Sequence, residues 1–142
     1  MSSRDVDEQI LHDHIIQVLR KEMYNYPNPA HPNLITYINH PTKTKAVFTP
    51  ERKEMHPDIV VIDQRTTHLV LVAEVETEST VVPEEQPEWA DFQQLKTKLH
   101  IHFPKGFGPV MTGLCQGFHN TELYQYSKVG KSYLVEKVAD LA

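Results

Sequence analysis

Three acidic residues stand at the ends of two apolar segments, and their spacing predicts a shared metal site. Asp58 begins one segment, and Glu74 and Glu76 end the other, two residues apart. Alternate side chains of an extended strand share a face, so Glu74 and Glu76 point the same way. Pairing Asp58 opposite Glu74 gathers all three carboxylates at one end of a hairpin. The same register pairs Asp63 with Leu69, and a shift by one residue would send Asp58 to the opposite face.

Carboxylates this close would require either a retained proton or a bound cation. Two unit charges some 7 Å apart repel by roughly 2 kcal/mol at an effective dielectric near 20. Mg²⁺ (or Mn²⁺) prefers oxygen ligands and commonly takes one or two carboxylates with water and phosphate. We expect Asp58, Glu74 and the Val75 carbonyl as metal ligands. Glu76 would be a further ligand, or would orient and deprotonate water for phosphodiester hydrolysis.

Hydrophobic periodicity predicts the elements that position these residues. A first helix begins at Ser3 or Asp5 and runs to about Tyr24. The two central strands are rich in valine and isoleucine at nearly every position, so both faces of the sheet should be covered by helices. The predicted elements are a helix to residue 24, strands at 34–39, 45–49, 59–63 and 68–77, a helix from about Pro87, a strand at 100–104, a weaker helix at 108–117, and a hairpin at 122–126 and 132–136. The order α-β-β-β-β-α-β-α-β-β predicts an α/β fold with a mixed β-sheet flanked by helices.

The segment HPDIVVIDQRTTHLVLVAEVETES resembles the core of the PD-(D/E)XK nuclease-like (restriction endonuclease-like) superfamily. Pro57, Asp58 and Glu74 match the motif, and the resemblance covers roughly residues 5–104. It implies a restriction endonuclease-like α-β-β-β-α-β core, with the C-terminal hairpin as an elaboration. It also implies Mg²⁺-dependent cleavage of DNA, by a homodimer or as part of a larger nucleic-acid-processing assembly.

One position departs from the motif, because Glu76 stands where the superfamily has lysine. Some type II restriction endonucleases are similar in having glutamate there. A neutralising lysine could instead come from the following helix, where Lys96 and Lys98 are the candidates. Three interpretations therefore remain open: an active metal-dependent endonuclease, a non-catalytic binding module with the same fold, and an unrelated α/β protein whose glutamates face solvent.

Composition fits one soluble domain spanning residues 1–142. The net charge of −5 argues against a protein that coats nucleic acid non-specifically, because that mode needs many phosphate contacts. Cys115 is the single cysteine, which excludes an intramolecular disulfide and favours a cytoplasmic location. There is no apolar run long enough to span a membrane and no secretory signal, so no membrane partner is expected.

Basic residues form two groups that are either solvated surface or nucleic-acid contacts: Lys43, Lys45, Arg52 and Lys53, then Lys96, Lys98 and Lys105.

Histidines give a weaker metal signal. His100 and His102 would share a strand face, but no third ligand accompanies them at convincing spacing, so zinc is not favoured. His12 and His14 lie two apart on a helix and point in different directions. Glu8 on the same helix is either an acidic ligand, as the resemblance implies, or a solvated first-turn glutamate.

Overall fold

The computed structural model describes residues 4–142 as three helices and eight strands. Asp5 caps the first helix by accepting a hydrogen bond from the Glu8 amide at 2.8 Å, whereas Ser3 lies outside the described residues. The elements are α1 (Val6–Glu22), β1 (Leu34–Ile38), β2 (Val47–Phe48), β3 (Glu54–Met55), β4 (Ile59–Asp63), β5 (Leu69–Val75), α2 (Gln86–Gln93), β6 (Lys98–Pro104), α3 (Gly108–Leu114), β7 (Thr121–Val129) and β8 (Ser132–Leu141).

Six strands form one mixed sheet in the order β1-β4-β5-β6-β7-β8. The central strands β5, β6 and β7 are parallel, while β1, β4 and β8 pair antiparallel with their neighbours. Parallel strands need crossover connections, and α2 and α3 supply them. The sequence-based expectation of an α/β fold with a mixed sheet is confirmed.

Each face of the sheet carries its own hydrophobic core. Helix α1 packs Ile15, Ile16 and Leu19 on one face, which is called the α1 face below. On the other face, called the α2 face, α2 contributes Trp89 and Phe92, and α3 contributes Met111 with the adjacent Cys115. Alternation along β5 sends Val72 to the α2 face and Ala73 to the α1 face. The apolar character of both faces of β4 and β5 follows from this double coverage.

The hairpin β4–β5 has the register predicted at its site end. Ile59 pairs with Ala73 and Val60 with Val72, so Asp58 lies one step before the first pair, on the level of Glu74. Near the turn the register shifts after Val61, and Ile62 pairs with Leu69. The predicted pairing of Asp63 with Leu69 is therefore wrong, because an irregularity in the ladder displaces it.

Two other local predictions are also wrong. The predicted order has four strands before α2, whereas the structure has five: the charged segment at 50–55 contains β3, which pairs only with β2 in a separate two-stranded sheet. The helix expected to carry Lys96 and Lys98 ends at Gln93. Lys96 has a positive φ of 52° in the following turn, and Lys98 opens β6.

Within residues 4–142, no helix combines the length and the apolar character that crossing a membrane requires.

Candidate metal centre at the opening of the β4–β5 hairpin

Asp58 and Glu74 are joined directly where β4 and β5 separate. The Asp58 amide donates to Glu74 Oε2 at 2.8 Å, and Asp58 Oδ2 accepts from the Val75 amide at 2.7 Å. The Asp58 carboxylate thus takes the place of the backbone acceptor that a longer β4 would offer to Val75. Both acidic residues are 6 % exposed. The structure therefore brings two of the three predicted acidic residues into direct contact in a buried setting.

Glu76 is also buried, at 2 % exposure, but it has different partners. Its Oε2 accepts from Trp89 Nε1 at 3.1 Å, and its Oε1 lies 3.5 Å from the Arg4 guanidinium. Arg4 Nη2 also donates to the Val75 carbonyl at 3.0 Å. The backbone oxygen expected as a metal ligand therefore has a cationic partner from the chain itself.

Arg4, rather than a lysine after α2, is the cation beside Glu76. Lys98 instead lies 2.7 Å from Glu122 on β7. Arg4 is further held by the Thr77 and Thr80 hydroxyls, at 3.0 and 3.4 Å. It stands just before α1, more than seventy residues from its partners, so no sequence pattern around Glu76 could have indicated it.

The electrostatics of the three acidic side chains differ. Burial, the Asp58 charge and the nearby Glu88 carboxyl raise the pKa of Glu74 well above its ordinary value. Burial and the Asp58 charge raise the pKa of Glu76 to about 7. Burial would also raise the pKa of Asp58, but hydrogen bonds to His12 and His40 outweigh it and hold that pKa below its usual range. The pair Asp58–Glu74 thus combines an ionised carboxylate with a carboxyl group that retains its proton.

Two histidines contact Asp58 from the α1 side. His12 Nε2 lies 3.1 Å from Asp58 Oδ2, and His40 Nε2 lies 2.9 Å from Asp58 Oδ1. Their other ring nitrogens, both Nδ1, face Asp13. Among the described residues, His12, Asp13 and His40 each offer one ligand atom, and these three atoms lie within 4.8 Å of one another. No sequence pattern indicates this group of His12, Asp13 and His40. His40 approaches the other two residues only when α1 packs beside the loop after β1.

The loop that carries His40 is held by Asn39, which is 2 % exposed. Asn39 Oδ1 accepts from the amides of Thr44 and Lys45 at 2.7 and 2.8 Å. Its Nδ2 donates to the carbonyls of Lys45 and Pro57 at 2.9 and 2.6 Å. One amide side chain thus fixes the backbone on both sides of the site, next to His40 and next to Asp58.

A cleft of about 550 Å³ opens on the α2 side, and its lining includes neither Asp58 nor Glu74. Glu88 lines the cleft and interacts with the Glu74 carboxyl. Lys43, Lys53 and His56 line it as well, so some of the basic residues singled out in the sequence face the same space. Lys53 forms an ion pair with Asp91 there.

The donor set suits a hard divalent cation in part. Asp58, Glu74, Glu76 and Glu88 offer carboxylate oxygens, which Mg²⁺ and Mn²⁺ accept, but among the described residues no three of these four side chains place ligand atoms within 4.8 Å of one another. The Val75 carbonyl fits less well, because Arg4 already donates to it. Asp58 and Glu74 are therefore the residues that would hold the ion.

The remaining sequence candidates have structural roles. Glu8 Oε2 accepts from the Ser79 amide and hydroxyl at 3.1 and 2.7 Å, so Glu8 anchors the segment after β5 to α1. His100 and His102 share the α1 face, and both contact the Tyr24 hydroxyl. Cys115 is buried, which raises the pKa of its thiol to about 12.

No protein-family model matches this chain, and neither the curated proteins nor the solved structures give a match.

Proposed function

We propose that this chain is a PD-(D/E)XK-like domain that hydrolyses phosphodiester bonds of DNA with Mg²⁺ or Mn²⁺. The contact between Asp58 and Glu74 carries the proposal: two buried acidic residues meet where two strands diverge, and Glu74 interacts with Glu88, which lines a cleft. The order α1-β1-β4-β5-α2-β6, with β6 parallel to β5, agrees with the α-β-β-β-α-β core of a restriction endonuclease-like fold.

Each acidic residue would have a distinct role. Asp58 and Glu74 would hold the ion, which when bound supplies a Lewis acid for the scissile phosphate. Glu76 would accept a proton from the attacking water. A buried carboxylate suits this role when its pKa is raised to about 7, as that of Glu76 is. Lys43 and Lys53 on the cleft wall would contact backbone phosphates of the substrate.

Metal-dependent cleavage tests the proposal. The metal-free chain, supplied with Mg²⁺ or Mn²⁺, should cleave plasmid or branched DNA, and Asp58→Asn and Glu74→Gln should reduce cleavage to the background of a mock preparation. These isosteric changes preserve volume and remove the capacity of each side chain to ionise and bind a cation. Glu78→Gln is the matched control, because Glu78 is an exposed glutamate close to the site and should leave cleavage unchanged. Equal residual activity in all four proteins would indicate a contaminating nuclease and reject the proposal.

A non-catalytic binding module is the second candidate, and the position of Arg4 favours it. The Arg4 guanidinium already neutralises Glu76 and binds the Val75 carbonyl, as an internal substitute for a metal ion. On this alternative, calorimetry should detect no Mg²⁺ binding to the native chain. Trp89, the single tryptophan, offers a second readout, since its indole donates to Glu76 and its emission should respond to an ion bound nearby.

A further inference from the structure

Two imidazole nitrogens and one carboxylate oxygen converge on the α1 side of the sheet. His12 Nδ1 lies 2.9 Å from Asp13 Oδ1, and His40 Nδ1 lies 3.8 Å from the same oxygen. Ligands bonded to a tetrahedral zinc ion at about 2.0–2.1 Å stand roughly 3.3 Å from each other. One distance is shorter and the other longer than that value, and all three ligand atoms lie within 4.8 Å of one another, so modest shifts of Asp13 and His40 would give a zinc ligand geometry.

Asp58 orients both histidines for this role. Each of its oxygens faces the Nε2 of one ring, at 3.1 Å for His12 and 2.9 Å for His40. An ionised carboxylate in that position accepts Nε2–H from both rings, which leaves the Nδ1 lone pairs free to bind. Metal-binding histidines commonly donate their second ring nitrogen to a carboxylate in this way.

Gln9 supports the assignment of the lone pairs. Its side-chain nitrogen donates to Asp13 Oδ1 at 2.8 Å and lies 3.3 Å from His12 Nδ1. One donor thus engages both atoms as acceptors, as a cation would. Without a cation or an added proton, His12 Nδ1 and Asp13 Oδ1 would face each other with lone pairs only.

We infer that His12, Asp13 and His40 bind a first-row divalent transition ion, Zn²⁺ foremost, with Asp58 orienting the two histidines. Mixed nitrogen and oxygen donors favour Zn²⁺ over Mg²⁺, which takes oxygen ligands. His12 is 1 % exposed and fixed, whereas the Asp13 and His40 side chains are 39 % and 34 % exposed and offer the ion a route from solvent. The ion would tie α1 to the loop after β1, and it is distinct from the ion proposed at Glu74.

Metal titration of the tag-free, chelator-stripped chain tests this site. Equilibrium dialysis should give one tightly bound Zn²⁺ per chain, and Co²⁺ should produce the visible absorption of a site with nitrogen ligands. His40→Ala and Asp13→Asn should each weaken Zn²⁺ binding by about tenfold or more. His14→Ala is the matched control: it lies on the same helix, is exposed, and should retain full affinity.

Two results would overturn the inference. The first is the absence of stoichiometric Zn²⁺ or Co²⁺ binding by the native chain. The second is unchanged affinity in both His40→Ala and Asp13→Asn, which would assign the ion to other histidines among the nine. Circular dichroism of Asp13→Asn, a change on the helix surface, checks that lost binding is not lost folding. Glu74→Gln should retain Zn²⁺, which separates this site from the proposed nuclease centre.

Discussion

At the scale of single residues, the Tyr24 hydroxyl and two histidine rings form a buried polar group outside the candidate centre. The Tyr24 hydroxyl lies 2.7 Å from both His100 Nδ1 and His102 Nε2. Since a hydroxyl has one proton, it donates to one ring and accepts from the other. His100 Nε2 and His102 Nδ1 are buried without a hydrogen-bond partner in the described structure. Burial therefore disfavours protonation of both rings, although the Glu122 carboxylate, 3.6 Å from His100 Nε2, acts in the opposite direction on the pKa of His100.

Acid should destabilise the protein through these histidines. Burial lowers the pKa of His100 to about 4 and that of His102 to about 3, from 6.5 in both cases. The unfolded chain then binds more protons below pH 6.5, so the free energy of unfolding should fall as the pH drops from 6.5 toward 4. His102→Gln, which keeps a polar partner for Tyr24, should flatten this dependence by about 1–3 kcal/mol. Chemical denaturation at a series of pH values measures it.

The matched control is His68→Gln, because His68 is exposed in the turn before β5. Its pH dependence should follow that of the native chain. If His102→Gln and the native chain lost stability in parallel between pH 6.5 and 4, the acid sensitivity would have to come from other groups.

At the scale of elements, the loop between β1 and β2 depends on one side chain. Asn39 satisfies four backbone groups, which no hydrophobic residue of similar size could do. Asn39→Ala would leave the buried carbonyl of Pro57 and neighbouring groups unpaired. We expect it to lower the free energy of unfolding by roughly 2–4 kcal/mol.

Asn25→Ala provides the comparison for this loop. Asn25 is exposed, and its backbone carbonyl, not its side chain, accepts from Asn28. This variant should unfold within about 0.5 kcal/mol of the native chain. Urea denaturation of both variants measures the difference, and an equally small effect of Asn39→Ala would show that water or relaxed loop geometry replaces its contacts.

At the same scale, some features could be predicted from the sequence and others could not. The register at the site end of β4–β5 was predictable, because valine and isoleucine cover both faces and a one-residue slip would misplace Asp58. The contacts of His12 and His40 with Asp58 were not, because they join residues 46 and 18 positions apart that meet only when α1 and the loop after β1 pack beside the hairpin. Strand β2 falls within the strand predicted at 45–49, whereas β3, with two residues, carries too few residues for a periodic signal.

At the scale of the whole molecule, the C-terminal hairpin belongs to both cores. Strand β8 packs Tyr133 and Val135 against the α1 face, and Ala139 and Leu141 against the α2 face. It pairs along nearly the whole of β7. The resemblance to the nuclease-like superfamily ends near residue 104 and implies that this hairpin is an elaboration of the core. The packing makes it part of the folding unit.

Removing β8 should therefore abolish cooperative folding. A chain ending at Val129 would expose the edge of β7 and the buried side chains of Leu123, Tyr124 and Tyr126. Thermal denaturation should show no sharp transition for this truncation, whereas removal of the exposed Ala142 alone should leave the transition near its original temperature. A native-like transition in the shorter chain would mean that residues 4–129 form an independent unit.

The two histidines on the α1 side already engage both carboxylate oxygens of Asp58. The backbone amide of Asp58 binds Glu74 on the other side. Ions bound at the two proposed centres would thus be thermodynamically linked through a single residue. By reciprocity, the factor by which Zn²⁺ changes the affinity for Mg²⁺ equals the factor by which Mg²⁺ changes the affinity for Zn²⁺. A transition metal on one face of the sheet would act as an effector of the chemistry on the other.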